Sequence, residues 1–221
     1  AIRIARAKNV SSKIAFSGYH GWQDWYIAAN LANNTNLNNH LLKNLTPLGI
    51  PKELKKTIYP FKFNEYEDLN NLIKKNKFSA IVIECGRYNY LSKEFVKNIN
   101  KLCRKKNICL IVDEITTGWR ETSGGLYKKL GLNPDIVVYG KALGNGYAIS
   151  AIVGKEKYMK YGNKSFISST AWTENIGFNA GIAVIDFFVK NNVSSHLIKM
   201  GELIKKGWER SAIKNDIKIN I

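Results

Sequence analysis

Three short runs of apolar residues constrain the fold of this chain more than any other feature. They are Ala80 to Glu84, Ile108 to Val112 and Ile136 to Tyr139, of which the first closes on its glutamate. Runs of four or five residues without polar alternation are typical of parallel strands that are buried on both faces. Between the first two runs, apolar residues recur at helical spacing after Ser92, which is suited to cap a helix. This alternation predicts an α/β fold with a mainly parallel sheet between helix layers.

Weaker patterns predict the remaining elements. The Asn-rich stretch from Asn33 to Pro60 predicts a long loop, and Asn64 is suited to cap the helix after it. The alternating residues Ile217 to Ile221 predict the first strand of another domain, so we expect a large domain over residues 1–210 and the start of a small domain over residues 211–221. Further strands are expected at Lys13 to Ser17 and Ala148 to Val153, and helices at Trp22 to Leu31, Asn175 to Asn191 and Ser195 to Ser211.

Both ends of the chain predict a fragment of a longer protein. Residues Ala1 to Arg6 lack an initiator Met and the apolar block of a signal peptide, and they have the pattern of the middle of a helix. The alternating segment at the other end stops after one strand. We therefore expect most of the small domain to be missing.

Charge, cysteines and hydropathy bear on partners and location. The 34 Lys and Arg against 17 Asp and Glu give a net charge of +17, which raises nucleic acid as a partner. The lysines are spread along predicted helix faces and no RNA-binding signature is present, so a solvated basic surface is the favoured interpretation. The three cysteines form no C-x-x-C pair and the three histidines lack metal-ligand spacing, which predicts a reducing cytoplasm and no metal. No apolar run has the length of a membrane span, so no membrane partner is expected.

Two charged residues at predicted strand ends are the candidate catalytic groups. Lys141 follows the run that ends at Tyr139, and Asp113 directly follows Val112. Open α/β sheets bind ligands at the carboxyl ends of their strands, so both side chains are expected at one edge of the sheet. An amine that can form an imine and a carboxylate that can pair with a cofactor cation suit covalent cofactor chemistry. A P-loop is excluded because Lys141 lacks the upstream glycine and the following Ser or Thr of that motif.

Four segments of the sequence carry recognisable motifs: Tyr19 to Gly21, Glu84 to Asn89, Val112 to Arg120 and Gly140 to Gly146. In that order they resemble the aromatic-His-Gly turn, the E-P-x-x-x-N segment, the D-E-V-x-T-G-F-R segment and the lysine segment of the class III pyridoxal-phosphate aminotransferases. Among these enzymes the chain is most similar to glutamate-1-semialdehyde 2,1-aminomutase-like members. The resemblance implies the three-layer α/β/α large domain of the fold type I pyridoxal-phosphate-dependent transferases.

The resemblance implies roles for individual residues. Lys141 would attach the cofactor, pyridoxal 5'-phosphate, as a Schiff base and then move the proton of the substrate. Asp113 would pair with the pyridinium nitrogen and keep the ring an electron sink. Tyr19 would stack on one face of the ring and Ile115 would pack on the other.

Four more positions are implied at the edge of the cofactor. His20 would support the site rather than carry a proton, and Asn89 would donate to the ring hydroxylate. Ser169 and Thr170 stand where family members reach the cofactor phosphate of the neighbouring subunit, with Ser169 in place of the usual glycine. A homodimer with shared active sites is therefore expected.

The sequence also departs from the family in two ways. Cys85 stands where a proline is usual, and the own-subunit phosphate loop of the family would lie before Ala1. We expect pyridoxal-phosphate-dependent amino transfer, with aminomutase chemistry on a small-molecule substrate. The alternatives are an aminotransferase acting on a keto-sugar or another keto or aldehyde substrate, an inactive fragment, and a basic nucleic-acid-binding protein.

Overall fold

The fold is built on one six-stranded sheet, seen in a computed structural model that describes residues 1–9 and 11–221. The strands are β1 (Ile14–Ser17), β2 (Ile58–Pro60), β3 (Ala80–Glu84), β4 (Cys109–Asp113), β5 (Ile136–Tyr139) and β6 (Ala151–Gly154). Their order across the sheet is β2-β1-β3-β4-β5-β6. The first five are parallel and β6 is antiparallel to β5, which confirms the predicted mainly parallel architecture.

Helices cover both faces of this sheet. In the described part of the chain they are α1 (Ile2–Lys8), α2 (Asp24–Ile27), α3 (Tyr66–Lys75), α4 (Lys93–Lys106), α5 (Leu126–Leu130), α6 (Glu156–Gly162), α7 (Asn175–Lys190) and α8 (Val193–Lys214). One face packs on α3, α4 and α5, and the other on α1, α2 and α6. The result is the expected three-layer arrangement of helix, sheet and helix. As predicted, Ser92 caps α4, since its Oγ accepts a hydrogen bond from Phe95 N at 3.2 Å.

The apolar runs are explained by burial on both sides of the sheet. In β4, Leu110 and Val112 face the cluster under α3 and α4, whereas Cys109 and Ile111 face the opposite cluster. All four side chains are buried. A central parallel strand has no solvent-facing side, so its sequence lacks polar alternation.

Three predictions about the ends of elements are wrong. The predicted loop from Asn33 to Pro60 ends in β2, a three-residue edge strand whose closing proline is tolerated because an edge strand has an unpaired side. Asn64 does not cap α3; it has a φ of +63° and instead accepts from Ser92 N at 2.8 Å. Residues Ile217–Ile221 form no strand, because no backbone ladder within the described residues pairs with them.

The register of the sheet decides which side chains meet at its carboxyl edge. Glu84 of β3 pairs with Asp113 of β4, and Asp113 pairs with Val138 of β5. Lys141 follows three residues later, in a short 3₁₀ turn, Lys141–Leu143. The structure describes no helix that combines the length and apolar character needed to span a bilayer.

Candidate active site

Asp113 is held in a fixed orientation at the end of β4. Its Oδ2 lies 2.9 Å from His20 Nδ1, and its Oδ1 accepts from Ile115 N at 3.0 Å. The other imidazole nitrogen, Nε2, lies 3.3 Å from the carbonyl oxygen of Ser17. The imidazole is therefore held between the Asp113 carboxylate and a backbone carbonyl, one at each ring nitrogen. The Asp113 side chain is only 12% exposed and that of His20 only 1%, so solvent screens this pair weakly.

Lys141 lies on the same edge with its amine accessible. Its Nζ donates to Thr116 Oγ1 at 2.8 Å, and the residue as a whole is exposed. Its φ of +45° is in the left-handed region, which costs a non-glycine residue on the order of 1 kcal/mol. The residue before it, Gly140, faces Ile115, whose Cγ2 would lie 3.6 Å from a Cβ at that glycine. Ile115 thus packs between the carboxylate and the lysine segment.

A cavity of about 280 Å³ opens in front of Asp113. This is close to the lower end of the range for small-molecule sites, roughly 300–1,000 Å³. Asp113, Ile115 and His20 contribute to its wall, together with the apolar side chains of the sheet below them. The remaining lining residues are Ala1, Ile2, Arg3, Gln23, Trp25, Val82, Ile111 and Val138. The cavity therefore combines one carboxylate with a mainly apolar floor.

Tyr19 directly precedes the cavity-lining His20, and a cation covers its ring. The Arg87 guanidinium carbon is 5.1 Å from the Tyr19 ring centroid. Buried Glu84 connects the two residues, since its Oε2 accepts from Tyr19 N at 2.8 Å and its Oε1 from Arg87 Nη2 at 3.0 Å. A Cβ at Gly18, which has a φ of +115°, would lie 2.6 Å from Glu84 Oε2. The turn before Tyr19 therefore requires glycine for both its backbone conformation and its space.

His40 makes a hydrogen bond to the same turn. Its Nδ1 accepts from Gly18 N at 3.2 Å. Burial, and secondarily the nearby His20, lower the pKa of His40 to about 4. The neutral ring can accept this hydrogen bond and the protonated ring cannot. Sequence patterns gave no signal for His40, because it lies in the Asn-rich segment far from any motif.

Three predicted site residues lie apart from these groups. Asn89 is exposed in the turn after β3, and Ser169 and Thr170 are exposed in the segment before α7. Within the described residues, the Ser169 hydroxyl makes only a local hydrogen bond, from Ala171 N at 3.3 Å. Of the predicted residues, Asp113, Ile115 and His20 line the cavity. Lys141 and Tyr19 lie at the same edge of the sheet but are not among the lining residues, and Asn89, Ser169 and Thr170 lie outside the cavity as well.

Glu114 is a buried support for the loop after β4 rather than a reactive group. Its Oε1 accepts from Tyr127 N at 2.7 Å and from Cys85 Sγ at 3.3 Å, and its Oε2 accepts from the Thr117 hydroxyl. Burial, and secondarily Glu114, raise the pKa of the Cys85 thiol, which keeps it a donor. Cysteine in place of the usual proline thus supplies a hydrogen bond to Glu114.

Comparison with known proteins identifies relatives over the whole chain. The model of the family described as "Aminotransferase class-III" matches residues 1–219. The 3-aminobutyryl-CoA aminotransferase of Cloacimonas acidaminovorans is 32% identical over 96% of this chain and 50% of its own length. The glutamate-1-semialdehyde 2,1-aminomutase of Nitrosopumilus maritimus is 34% identical over 96% of this chain and 52% of its own length. The chain therefore spans about half the length of these curated relatives.

A solved structure shows the same fold. The FumI protein of Sphingopyxis sp. MTA144, determined in its PLP internal aldimine form, superposes with a TM-score of 0.86. Its sequence identity is 20%, and the match covers 99% of this chain and 51% of FumI. At this identity the likeness concerns the fold alone.

Proposed function

The chain belongs to the class-III aminotransferase family, and we propose that it carries out pyridoxal-phosphate-dependent transfer of an amino group. The observation that carries this proposal is the shared sheet edge of Asp113 and Lys141. Asp113 pairs in register with Val138, three residues before the lysine, and borders a cavity of small-molecule size. A primary amine and a weakly exposed carboxylate on adjacent strand ends are the groups that this chemistry requires.

The residues present fit pyridoxal 5'-phosphate. Asp113 would pair with the ring nitrogen, Lys141 Nζ would hold the aldehyde carbon, and Ile115 would pack against the ring. When bound, the cofactor supplies an aldehyde that bonds to amines and a protonated ring that withdraws electrons from the substrate. The apolar floor of the cavity provides a surface for a planar ring. Tyr19 would contribute an aromatic contact to the other side of the cofactor ring, by its edge or by the ring face that Arg87 leaves free.

The residues of the chain also control protons at this site. His20 and the Ile115 amide each donate to one oxygen of Asp113, so the carboxylate stays oriented toward the cavity. A carboxylate with this little exposure favours a protonated base as its partner, and it would hold the proton at the ring nitrogen. Lys141 would accept and return the proton at the substrate carbon. For that its amine must be neutral, and Thr116 Oγ1 positions it by accepting one N–H.

We further propose a homodimer with shared active sites. Ser169 and Thr170 are exposed and outside the cavity, which suits contacts to the cofactor phosphate of a second subunit. Asn89 is likewise exposed, and its contact with the ring hydroxylate stays a prediction. Large apolar side chains near Ser169 and Thr170 are also exposed, at 58% for Trp172 and 54% for Phe178. Such surfaces are typical of protein interfaces.

The finer proposal is aminomutase chemistry, the exchange of an amino group within one molecule. It is supported by relatives named glutamate-1-semialdehyde 2,1-aminomutase at 31% and 34% identity. Transfer between molecules, on a keto-sugar or another keto or aldehyde substrate, is the alternative. It is supported by the relatives named 3-aminobutyryl-CoA aminotransferase and 2'-deamino-2'-hydroxyneamine transaminase. Isomerisation of glutamate 1-semialdehyde without an added amino donor separates the two.

The proposal is tested by trapping the cofactor. Purified protein is incubated with pyridoxal phosphate, reduced with borohydride and digested for mass spectrometry. We expect a stable adduct on the peptide that contains Lys141, and its loss in Lys141→Ala. Lys128→Ala is the matched control, because Lys128 lies on α5 in another lysine-rich segment. Equal labelling of many lysines in both variants contradicts a dedicated site.

A further inference from the structure

A second, smaller cavity lies at the edge of the sheet opposite to the candidate active site. Its volume is about 100 Å³, and its lining includes Ile108 and Asp135, which directly precede β4 and β5. Asp113 closes β4 and Lys141 follows β5 at the other ends of these strands. Strands of this length span roughly 13–17 Å at about 3.3 Å per residue. This amino-edge cavity is therefore separate from the cavity at Asp113.

Asp135 holds two lysines at the amino-edge cavity. Its Oδ1 lies 3.1 Å from the Nζ of Lys155 and 3.1 Å from the Nζ of Lys157, and its Oδ2 accepts from Leu110 N at 3.2 Å. The Asp135 side chain is 9% exposed, whereas those of the two lysines are 42% and 51% exposed. Two ammonium groups thus share one carboxylate oxygen. Like charges this close repel each other, and one carboxylate does not neutralise both.

The charge around the cavity stays unbalanced when all its lining residues are counted. Arg104, in the last turn of α4, also lines the cavity, and in the described part of the chain its guanidinium makes no hydrogen bond or ion pair. Three cations, Arg104, Lys155 and Lys157, stand against the single carboxylate of Asp135, so the lining carries a net charge of +2. The carboxyl end of α4 contributes about half a negative charge, which reduces the excess without removing it.

The lining also offers more hydrogen-bond donors than acceptors. Each lysine ammonium has three N–H groups, of which Asp135 engages one, and the guanidinium of Arg104 has five. Tyr158 is fully buried in the same lining, and its hydroxyl has no hydrogen-bond partner within the described residues. Burial raises the pKa of the Tyr158 hydroxyl, so the group stays protonated. Buried polar groups are normally satisfied, so an unused one suggests a bound water or ligand.

The size of the cavity restricts the ligand. A volume of about 100 Å³ has room for about three water molecules at roughly 30 Å³ each. It is well below the roughly 300 Å³ at which sites for larger organic ligands begin. A tetrahedral oxyanion fits this space and accepts hydrogen bonds from several directions. A phosphate group carries about 1.5 to 2 negative charges at pH 7, which matches the net charge of the lining.

We propose that the amino-edge cavity binds a free phosphate ion, at a site distinct from that of the cofactor. Lys155, Lys157 and Arg104 contact the anion, and Asp135 holds the two lysines in place. The ion links the end of α4 to the start of α6, because Arg104 belongs to the first helix and Lys157 to the second. Its binding therefore stabilises the folded chain. The competing explanation is that the three cations only balance Asp135 and the end of α4.

Calorimetric titration with inorganic phosphate tests the proposal. We expect Lys157→Gln to weaken phosphate binding by about 10-fold, the scale of one hydrogen bond between charged groups. Asp135 keeps Lys155 and Leu110 N in this variant, so the fold should persist. Arg104→Gln should weaken binding several-fold. Lys74→Gln, at an exposed lysine in the last turn of α3, is the matched control and should stay within about 2-fold.

A conservative variant separates a contact with the anion from a structural role. Lys157→Arg keeps the cation and its donors, so it should restore most of the phosphate affinity that Lys157→Gln loses. Phosphate should also raise the midpoint of urea unfolding of the natural protein, and raise it less in Lys157→Gln at the same phosphate concentration. Potassium chloride at equal ionic strength is the control for general screening of charge.

Several results would overturn the proposal. No measurable phosphate binding by the natural protein refutes the site and favours the competing explanation. Unchanged affinity in both Lys157→Gln and Arg104→Gln means that any bound phosphate lies elsewhere, and an equal loss in Lys74→Gln shows that only the overall charge matters. Glycerol 3-phosphate carries the same anionic group on an organic body and should bind more weakly. Tighter binding of this monoester contradicts the assignment to the free ion.

Discussion

His20 Nδ1 lies 2.9 Å from Asp113 Oδ2, and this contact joins the turn after β1 to the end of β4. The two residues are 93 positions apart in the chain. His20 follows β1 and Asp113 ends β4, and β3 lies between these two strands in the sheet. The imidazole reaches across the end of β3 to orient the carboxylate. Any change that moves the His20 turn therefore moves Asp113 as well.

His20→Gln is expected to weaken pyridoxal phosphate binding by about 10-fold, the scale of one hydrogen bond to a charged group. The reason is that Asp113 loses a donor that orients it, while Ile115 N retains the other oxygen. Asp113→Asn should weaken binding further, because the ring nitrogen loses its anionic partner. Titration of the cofactor by absorbance measures both, with His196→Gln on the exposed surface of α8 as the control. An equal loss in that control argues against a specific role for His20.

Gly18→Ala is expected to destabilise the protein more than Gly49→Ala. Both glycines have positive φ, +115° and +77°, so both variants carry backbone strain of roughly 1–3 kcal/mol. Only at Gly18 does the new Cβ meet a buried group, Glu84 Oε2 at 2.6 Å, whereas Gly49 faces open space. Urea denaturation should show at least about 1 kcal/mol of additional loss at Gly18. Equal losses at the two positions contradict the packing argument.

Acid is expected to destabilise the protein through His40. The pKa of His40 is about 4 in the folded protein and about 6.5 in an unfolded chain, so the folded state prefers the neutral ring. Its contribution to stability is complete above pH 6.5 and declines as the pH falls toward 4. Between pH 7.5 and pH 5 this amounts to about 2 kcal/mol. His40→Asn keeps an acceptor for Gly18 N but does not titrate, so its free energy of unfolding should change less over the same interval. An identical pH dependence in the variant contradicts the assignment.

Glu114→Gln is expected to cost about 2–4 kcal/mol of stability, because its two oxygens accept three hydrogen bonds away from solvent. The amide turns one acceptor into a donor that faces another donor. Glu202→Gln serves as the control: its 3.5 Å ion pair with Lys205 on α8 is exposed, and such pairs contribute at most about 1 kcal/mol. Thermal or urea unfolding measures both. Similar losses in the two variants show that burial of Glu114 does not decide its contribution.

The central strands were predictable because burial on both faces leaves a strong local signal. Ala80 to Glu84 and Ile136 to Tyr139 were predicted with the observed boundaries. β2 was missed because three residues ending in proline carry almost no periodicity, and pairing with β1 decides their conformation. Asn64 was misassigned because its side chain serves a partner 28 residues away, Ser92, rather than the adjacent helix.

In the candidate site, too, a local sequence pattern predicts some residues and not others. Lys141 and Asp113 could be predicted from the sequence. Asp113 directly follows the apolar run that ends at Val112, and Lys141 follows the run that ends at Tyr139, with one glycine between them. The contact of His20 with Asp113 and the support of Gly18 by His40 join distant segments, so no local pattern predicts them. The contact of Arg87 with Glu84 could not be predicted, because the chain has 34 lysines and arginines and no local pattern distinguishes Arg87 from the others. Only its pairing with buried Glu84 separates it from the rest.

The register between β4 and β5 has a consequence for variation of this protein. Asp113 is paired with Val138 by the sheet itself. The connection between the two strands contains buried residues, such as Glu114 and Leu126, and one open turn at Gly131, where an added Cβ would meet no atom within 4 Å. Insertions at the Gly131 turn would lengthen an exposed part of the connection without altering which residue of β5 stands opposite the carboxylate. One residue added between Val138 and Lys141 would displace the amine relative to Asp113 at once. Natural variants and engineered chimeras should therefore tolerate length changes at the Gly131 turn and reject them in the three residues before the lysine.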